Sequence, residues 1–373
     1  MFRLKTIMVF ALVATLLLFS SLLTPGLADG GANHKKTNQH FGVSGGNVND
    51  HSSAFCCSGT LGALVTDGSN QYILSNNHVL ARSDQAVAGE DVSQPGLIDN
   101  GCRVSTLVAD FSGAAPLGSN VDAAVAQLRA GTMDSSGFIE DIGVPSSSIV
   151  NPSVGLSVAK SGRTTGFTTG SISSINTSVN VQYQRGCNSG KKFTVSYRNQ
   201  VVINSSTFSA GGDSGSLIVS NNASHNPVAL LFAGSSTSTI GNPIGEVLTR
   251  LSSALGRSFS FGGGGGGGGG ASPTTKGHQA GERQPFIPGL EGLMPQLPQQ
   301  AADRVSAVLE VHRANLMFQP GVIGAGVGLS GRADGEAAII IYVNKDAGQR
   351  PILPADIEGI PVNVILTDAF IAF

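Results

Sequence analysis

The sequence lacks tryptophan and is poor in charge, since charged residues make up only 12% of its 373 positions. Glycine, in contrast, occurs 51 times. Abundant glycine and β-branched residues with few charges favour an all-β barrel with many turns. The formal net charge of -2 neither attracts nor repels polyanions strongly, so we expect no nucleic-acid partner.

Cysteine is also scarce. The four cysteines are Cys56, Cys57, Cys102 and Cys187. No Cys-x₂-Cys pair occurs, which disfavours the alternative of a Cys₄ zinc site, and we expect no metal. In an exported chain an even count predicts two disulfides. Neighbouring Cys56 and Cys57 would be strained if paired together, so each is expected to pair with Cys102 or Cys187.

The long apolar run of the chain lies near the N-terminus. Arg3 and Lys5 precede the apolar residues 7–23, and Gly26-Leu27-Ala28 offers small residues at the cleavage positions. This pattern predicts a signal peptide over residues 1–28, with an uncleaved membrane anchor as the alternative. No later segment is apolar enough to span a bilayer. We therefore expect membrane contact only before cleavage, and a secreted or periplasmic location.

Residues 29–50 are rich in glycine, asparagine, histidine and lysine, which predicts a solvated polar leader. His34, His40 and His51 are interpreted as histidines of a polar tail rather than as metal ligands. From residue 55 to residue 260, short apolar runs alternate with turn residues. No long 3.6-residue periodicity separates them, so we predict two small β-barrels over 51–260, closed by a helix over 247–255.

The segment 211–216 reads Gly-Gly-Asp-Ser-Gly-Ser and stands directly before the apolar run 217–219. Glycines permit a tight loop, and the N–H groups of Gly212 and Ser214 can point at one developing oxyanion. A serine hydroxyl is a poor nucleophile alone and needs a base and an orienting carboxylate. His78 follows the apolar run 72–74, and Asp122 precedes another, 123–126.

The order His78, Asp122, Ser214 is that of chymotrypsin-type triads. Here the chain resembles the chymotrypsin-like serine proteases over about residues 40–260, and is most similar to a bacterial branch akin to the plant Narrow Leaf trypsin-like proteins. The shared segments are 57–63, 75–80 and 160–166. The resemblance implies a mainly β fold with a chymotrypsin-like double β-barrel. It also implies hydrolysis of a protein or peptide substrate without a cofactor.

The resemblance also implies a primary pocket. In the family its base lies six positions before the nucleophile, and Phe208 stands there. A phenylalanine cannot pair with a basic side chain, which argues against trypsin-like specificity. Ala233, Gly234 and Ser235 would line the pocket and predict an apolar or small substrate side chain. Ala233 also replaces a serine that often supports the catalytic aspartate in that family.

Nine glycines at 262–270 and a proline-rich approach predict a flexible linker over 261–298. The remaining residues, 299–373, predict a small α+β accessory domain. Asp303 can cap its helix, and three strand-like runs follow. Gly324, Gly326 and Gly328 follow this helix and lead into none, so we discount a dinucleotide site.

The accessory domain resembles a segment that in related proteins often precedes the protease domain. Tethered by a long linker, it is hypothesised to inhibit or chaperone the protease, or to bind a partner. We thus expect an intramolecular contact between the two domains. The apolar end 369–373 is interpreted as the last strand of the domain's own sheet. The alternative is a product-like tail in the cleft.

These observations predict an exported serine endopeptidase that acts by a Ser-His-Asp triad through an acyl-enzyme. Two alternatives remain open. One is a catalytically silent binding protein with a protease fold, whose cleft is blocked by Phe208 or by the accessory domain. The other is an esterase-like hydrolase of small acyl substrates.

Overall fold

The structure is a computed structural model that describes residues 33–36, 38–262, 296–331 and 335–373. The predicted signal peptide over 1–28 and nearly all of the predicted linker lie outside the described residues. The described residues belong to one compact unit, Gly31–Phe373. Within them, no helix combines the length and apolar character that crossing a membrane requires.

A seven-stranded sheet forms the N-terminal half of the fold. Its strands are β1 (Val43–Asn47), β2 (Gly59–Leu61), β3 (Ala63–Thr66), β4 (Gln71–Ser75), β5 (Asp91–Gln94), β6 (Thr106–Ala115) and β7 (Ala123–Leu128). They lie in the order β2-β1-β5-β6-β7-β4-β3. A single helical turn, α1 (Asn77–Leu80), follows β4.

The predicted solvated leader over 29–50 is wrong for its second half. β1 is buried along its whole length and pairs with both β2 and β5. His34 is also buried, and its Nε2 lies 3.0 Å from the hydroxyl of Ser161. This strand could not be recognised from the sequence, because Val-Ser-Gly-Gly-Asn contains one apolar residue. Pairing with β2 and β5, rather than an apolar pattern, holds the strand in place.

A second sheet contains twelve strands, seven of which come from the middle of the chain. These are β8 (Ser157–Gly162), β9 (Gly166–Ser171), β10 (Ser174–Gln184), β11 (Lys192–Asn204), β12 (Leu217–Ser220), β13 (Pro227–Gly234) and β14 (Ser238–Pro243). The predicted closing helix is α2 (Ile244–Leu255), which buries Val247 and Leu251 in the core of the first sheet.

The C-terminal residues form a module of one helix and five strands. They are α3 (Gln299–Phe318), β15 (Val322–Leu329), β16 (Ala337–Asn344), β17 (Asp356–Ile357), β18 (Ile360–Thr367) and β19 (Phe370–Ala372). The helix packs Val305, Leu309 and Leu316 into a core shared with β15 and β16. It begins at Gln299 rather than beside Asp303, and the residue before it is Pro298. The predicted mainly β fold, a double barrel followed by a small α+β part, is confirmed.

The module and the second sheet share one continuous sheet, because β15 pairs antiparallel with β10. Glycines of β15 permit this close approach: a Cβ at Gly326 would lie 2.2 Å from the hydroxyl oxygen of Thr177. Arg313 of α3 strengthens the joint by donating to the carbonyl of Asn176 and, at 2.7 Å, to the hydroxyl of Ser178.

The last strand leaves the module. We expected 369–373 to finish the module's own sheet, and this expectation is wrong. β19 instead pairs parallel with β10 and antiparallel with β13. A short apolar strand can join any exposed edge, and here the gap between β10 and β13 provides two edges at once.

Candidate active site

His78 and Asp122 meet at the same end of two neighbouring strands of the first sheet. His78 lies in α1, which starts directly after β4, and Asp122 immediately precedes β7. Because β4 and β7 are neighbours, the two side chains lie side by side. Asp122 is fully buried, and its Oδ2 lies 2.7 Å from Nδ1 of His78, while its Oδ1 accepts the backbone N–H of His78 at 3.1 Å.

Tyr183 and Asn242 hold Asp122, Tyr197 supports Tyr183, and sequence reasoning missed all three residues. The hydroxyl of Tyr183 donates to Asp122 Oδ2 at 2.8 Å and lies 2.6 Å from the hydroxyl of Tyr197. The backbone N–H of Asp122 donates to the side-chain carbonyl of Asn242 at 2.9 Å. These residues come from β10, β11 and β14, so no local pattern could associate them with Asp122.

Burial lowers the pKa of His78, but the charge and hydrogen bond of Asp122 outweigh it, and the pKa lies above its ordinary value. Smaller contributions that raise this pKa come from the main-chain oxygen of Phe373 and from Asp50. Burial, together with the charge of Asp122, also raises the pKa of Tyr183 well above its ordinary value. Tyr183 is therefore a neutral hydrogen-bond donor to the carboxylate.

Ser214 lies in the loop between β11 and β12. Its hydroxyl is buried and donates to the carbonyl of Phe232 at 3.2 Å. Gly212 has φ +98°, and a Cβ there would lie 2.5 Å from the guanidinium of Arg163, so only glycine fits. Among the hydrogen bonds between described residues, the N–H groups of Gly212 and Ser214 donate none. These are the two N–H groups for which the sequence predicts an oxyanion-binding role.

Asp213 holds this loop in place by hydrogen bonds to the backbone. Its buried carboxylate accepts the backbone N–H of Thr164 at 2.8 Å and that of Ala210 at 2.9 Å. The ammonium of Lys160, also fully buried, lies 3.6 Å from the same carboxylate. Burial lowers the pKa of Lys160 to about 8, although the charge of Asp213 opposes the shift. A buried ion pair therefore supports the residue next to Ser214.

Comparison with known proteins agrees with this geometry. Residues 69–254, a range that contains His78, Asp122 and Ser214, match the model of Peptidase family S64. The chain has a chymotrypsin-like protease fold. It is a serine endopeptidase of that fold, and the finer similarity to the plant Narrow Leaf proteins stays a prediction.

Solved structures similar to the protease include three of comparable likeness. A glutamic-acid-specific serine protease that uses a histidine triad in substrate binding shares 21% identity over 59% of this chain and 98% of its own, with a TM-score of 0.41. Thermobifida fusca protease A shares 18% identity over 60% and 99%, with a TM-score of 0.39. Cellulomonas bogoriensis chymotrypsin shares 17% over 59% and 97%, with 0.38. No curated protein sequence matches the chain significantly.

The four residues predicted to form the pocket of the protease occupy different places. Phe208 is fully buried in a hydrophobic cluster, and Phe373 packs against this cluster. Gly234 lies against the ring of Phe373: a Cβ at Gly234 would be 2.5 Å from its Cζ. Ala233 pairs with Ala372, and the hydroxyl of Ser235 lies 2.6 Å from that of Thr367.

The hydroxyl group that donates to Asp122 comes from a different strand than the sequence led us to expect. The sequence led us to regard Ala233 as the replacement for a serine that supports this aspartate. In the structure Ala233 faces the C-terminal strand, and the supporting hydroxyl belongs to Tyr183. The support of Asp122 therefore comes from β10 rather than from β13.

The end of the chain lies at His78. The Nε2 of His78 is 3.0 Å from the main-chain oxygen of Phe373. With Asp122 at Nδ1, both ring nitrogens face acceptors, an arrangement that the doubly protonated imidazolium satisfies. No hydrogen bond between described residues joins His78 to Ser214. The oxygen of Phe373 is thus the partner of Nε2 in this form of the protease.

Two disulfides surround the cleft. Cys56 pairs with Cys102, and Cys57 pairs with Cys187. The predicted pair of disulfides is confirmed, and the zinc alternative is wrong because all four thiols are oxidised. Cys56–Cys102 lies within the first half of the fold, whereas Cys57–Cys187 connects the segment before β2 to the turn between β10 and β11.

Proposed function

We propose that the protein is an exported serine endopeptidase in which Ser214, His78 and Asp122 form the catalytic triad. Ser214 would attack the peptide carbonyl while His78 takes its proton and later passes it to the leaving amine. Asp122 would hold the imidazole tautomer and stabilise its cation. The N–H groups of Gly212 and Ser214 would stabilise the tetrahedral oxyanion.

One observation carries this proposal: the buried carboxylate of Asp122 contacts His78 Nδ1 at 2.7 Å while Nε2 is directed into the cleft beside the Ser214 loop. The unbonded N–H groups of Gly212 and Ser214 give further support. Tyr183 and Asn242 are proposed to position Asp122. Asn242 acts through the aspartate, whereas the ring of Tyr183 also lies edge-on to His78, with ring centroids 6.1 Å apart.

Export is part of the proposal. Disulfides persist in oxidising compartments and are rare in the cytosol, which fits the two disulfides of this chain. We propose cleavage of a signal peptide over residues 1–28, a protease domain up to residue 260, a linker over 261–298 and an accessory domain over 299–373. Mass determination of the mature N-terminus tests the cleavage site.

A second candidate function, a binding protein without activity, is favoured by two hydrogen bonds. The Ser214 hydroxyl donates to the carbonyl of Phe232, and Nε2 of His78 contacts the oxygen of Phe373. A protein that keeps this arrangement permanently would bind peptides without cleaving them.

Intact mass after treatment with a serine-directed fluorophosphonate separates the two functions. We expect one adduct on the protein with an open cleft, and none on its Ser214→Ala or His78→Ala variants. Ser216→Ala is the matched control, because Ser216 lies two residues away and its hydroxyl donates to the carbonyl of Asp213. A folded protein that stays unlabelled after removal of residues 370–373 would contradict the endopeptidase.

A further inference from the structure

Residues 370–373 lie in the cleft in an extended conformation. Phe370 and Ile371 pair with Val181 and Gln182 of β10, and Ile371 and Ala372 pair with Gly234 and Ala233 of β13. An extended peptide that adds a strand to exposed sheet edges is a general mode of peptide binding. The backbone of these residues is thus bound as a separate peptide would be.

The direction of this strand matches one side of a substrate. The chain runs antiparallel to β13 and reaches His78 with the main-chain oxygen of Phe373. In a cleaved peptide, a carboxylate oxygen beside the histidine belongs to the residue that preceded the scissile bond, whereas the carbonyl oxygen of that residue in a substrate faces the oxyanion donors. A cavity of about 270 Å³ continues past Phe373 and is lined by His78, Gly212 and Arg163. This cavity offers space on the leaving-group side.

The ring of Phe373 occupies the predicted pocket. It lies over Gly234, where a Cβ would be 2.5 Å from Cζ, and it packs against the apolar cluster that contains Phe208. An aromatic ring in this position makes apolar contacts with the cluster that a charged side chain would not make. Glycine at 234 leaves room for this ring and also for the carbonyl oxygen of Ser238, from which a Cβ would likewise be 2.5 Å away.

We propose that the cleft binds peptides with a phenylalanine directly before the scissile bond, and that residues 370–373 are its resident occupant and inhibitor. This inference rests on the proposed function, because it names the substrate class of the same cleft. It also places the ring of that phenylalanine over Gly234.

The segment 367–370, which leads into the cleft, contacts the protease on one side and the module on the other. Thr367 contacts the hydroxyls of Ser235 and Thr237 at 2.6 and 2.8 Å. Asp368 bonds to Ser236 and to Lys345. The buried ring of Phe370 lies edge-on to Tyr342 of β16, with ring centroids 5.7 Å apart. These contacts hold the peptide at a high effective concentration.

The first experiment compares fluorophosphonate labelling of the full chain with that of a variant lacking residues 370–373. We expect labelling about tenfold faster or more after the deletion. Phe373→Asp, which keeps the buried ring of Phe370, is the second variant in case the deletion unfolds the module. Among chromogenic peptides ending in Phe, Ala, Glu or Lys, we expect the truncated protein to cleave after Phe at least about tenfold faster than after Glu or Lys.

The second experiment needs no activity. Calorimetry measures the binding of the pentapeptide Ala-Phe-Ile-Ala-Phe to the Ser214→Ala variant that lacks residues 370–373. The matched control peptide is Ala-Phe-Ile-Ala-Asp. We expect the first peptide to bind at least about tenfold more tightly.

The outcomes separate this inference from the proposed function. Labelling that is equally fast with and without residues 370–373 would overturn the inhibitor, while the labelling itself supports the endopeptidase. Peptides that bind equally, or not at all, would overturn the phenylalanine pocket. If every folded form resists labelling but the pentapeptide ending in Phe binds selectively, the resident peptide stands and the endopeptidase fails.

Discussion

The two sheets of the protein differ in whether their strands pair with strands of the C-terminal module. The first sheet takes all seven strands from residues 43–128 and contains no strand of the module. The second sheet shares one hydrogen-bonded surface with it, since β15 and β19 both pair with β10. His78 and Asp122 lie next to strands of the first sheet, Ser214 lies in a loop of the second sheet, and Gly234 lies in β13 of the second sheet. One wall of the cleft is thus independent of the module, and the other is continuous with it.

This difference separates the residues proposed to carry out catalysis from those that hold residues 370–373 in the cleft. The first sheet contributes to the bound segment 370–373 one hydrogen bond, from His78. The second sheet contributes the strands with which this segment pairs and the apolar residues against which Phe373 packs. Changes in the first sheet should therefore alter turnover more than occupancy, and changes at the module joint should do the reverse. Four substitutions or conditions test this contrast.

The largest effect is expected from Asp122→Asn. An amide cannot hold the imidazole in the required tautomer, so turnover should fall by about 10⁴. The measurement is kcat on a peptide ending in Phe, in protein lacking residues 370–373. Asp110→Asn is the control, because Asp110 lies in the same sheet and pairs with Arg129 instead of a histidine. A loss below about tenfold would contradict the role of Asp122.

Lys160→Met is expected to destabilise the second sheet. It leaves the buried carboxylate of Asp213 without a counter-charge, and the free energy of unfolding should fall by about 3 kcal/mol. Urea denaturation measures this change. The control is Lys192→Met, an exposed lysine of β11, for which we expect a change within about 0.5 kcal/mol. Equal effects of the two substitutions would mean that the pair does not support the Ser214 loop.

Arg313→Met breaks the joint between α3 and β10. It removes the hydrogen bonds to the Asn176 carbonyl and the Ser178 hydroxyl, which should cost about 2 kcal/mol of module docking. Faster fluorophosphonate labelling of the full chain measures the release of residues 370–373. Arg304→Met, on the exposed face of the same helix, should leave labelling unchanged. If both variants label alike, docking does not depend on this joint.

The smallest effect concerns pH. Burial lowers the pKa of His78, but Asp122 and, to a smaller degree, the oxygen of Phe373 and Asp50 raise it. Since the bound oxygen raises this pKa, docking is favoured where His78 is protonated and is lost as pH rises through the raised pKa. The pentapeptide should therefore inhibit the truncated protease more tightly at about pH 6 than at about pH 8.

Asp50 faces the same histidine, and burial raises the pKa of Asp50 to about 6. It therefore titrates in the same range as the expected change. An Asp50→Asn variant distinguishes the two groups, because it removes this second titration. If the pH dependence disappears in that variant, His78 is not its source.

The parts of the fold with a local signal were predictable from the sequence. His78 and Ser214 stand in polar or glycine-rich segments next to apolar strands, and the sequence order alone relates them to Asp122. The closing helix was predicted over 247–255 and begins three residues earlier, at Ile244. Its apolar face, which buries Val247 and Leu251, follows from the helical period.

The remaining parts depend on contacts between distant segments. Tyr183 and Asn242 support Asp122 across two sheets, and neither has a neighbour in sequence that marks it. β1 contains two glycines and is held by its pairing with β2 and β5. The apolar residues Phe-Ile-Ala-Phe could pair with any exposed edge strand. Their apolar character therefore does not predict which strands they join.

The disulfide between Cys57 and Cys187 has a consequence for the lifetime of the protein among other proteases. It spans 130 residues of sequence and connects the two halves of the fold. A single cut between these two cysteines would leave both fragments covalently attached. Such a nicked molecule would run as intact protein on a gel until a reductant is added, and hidden damage would accumulate without loss of mass.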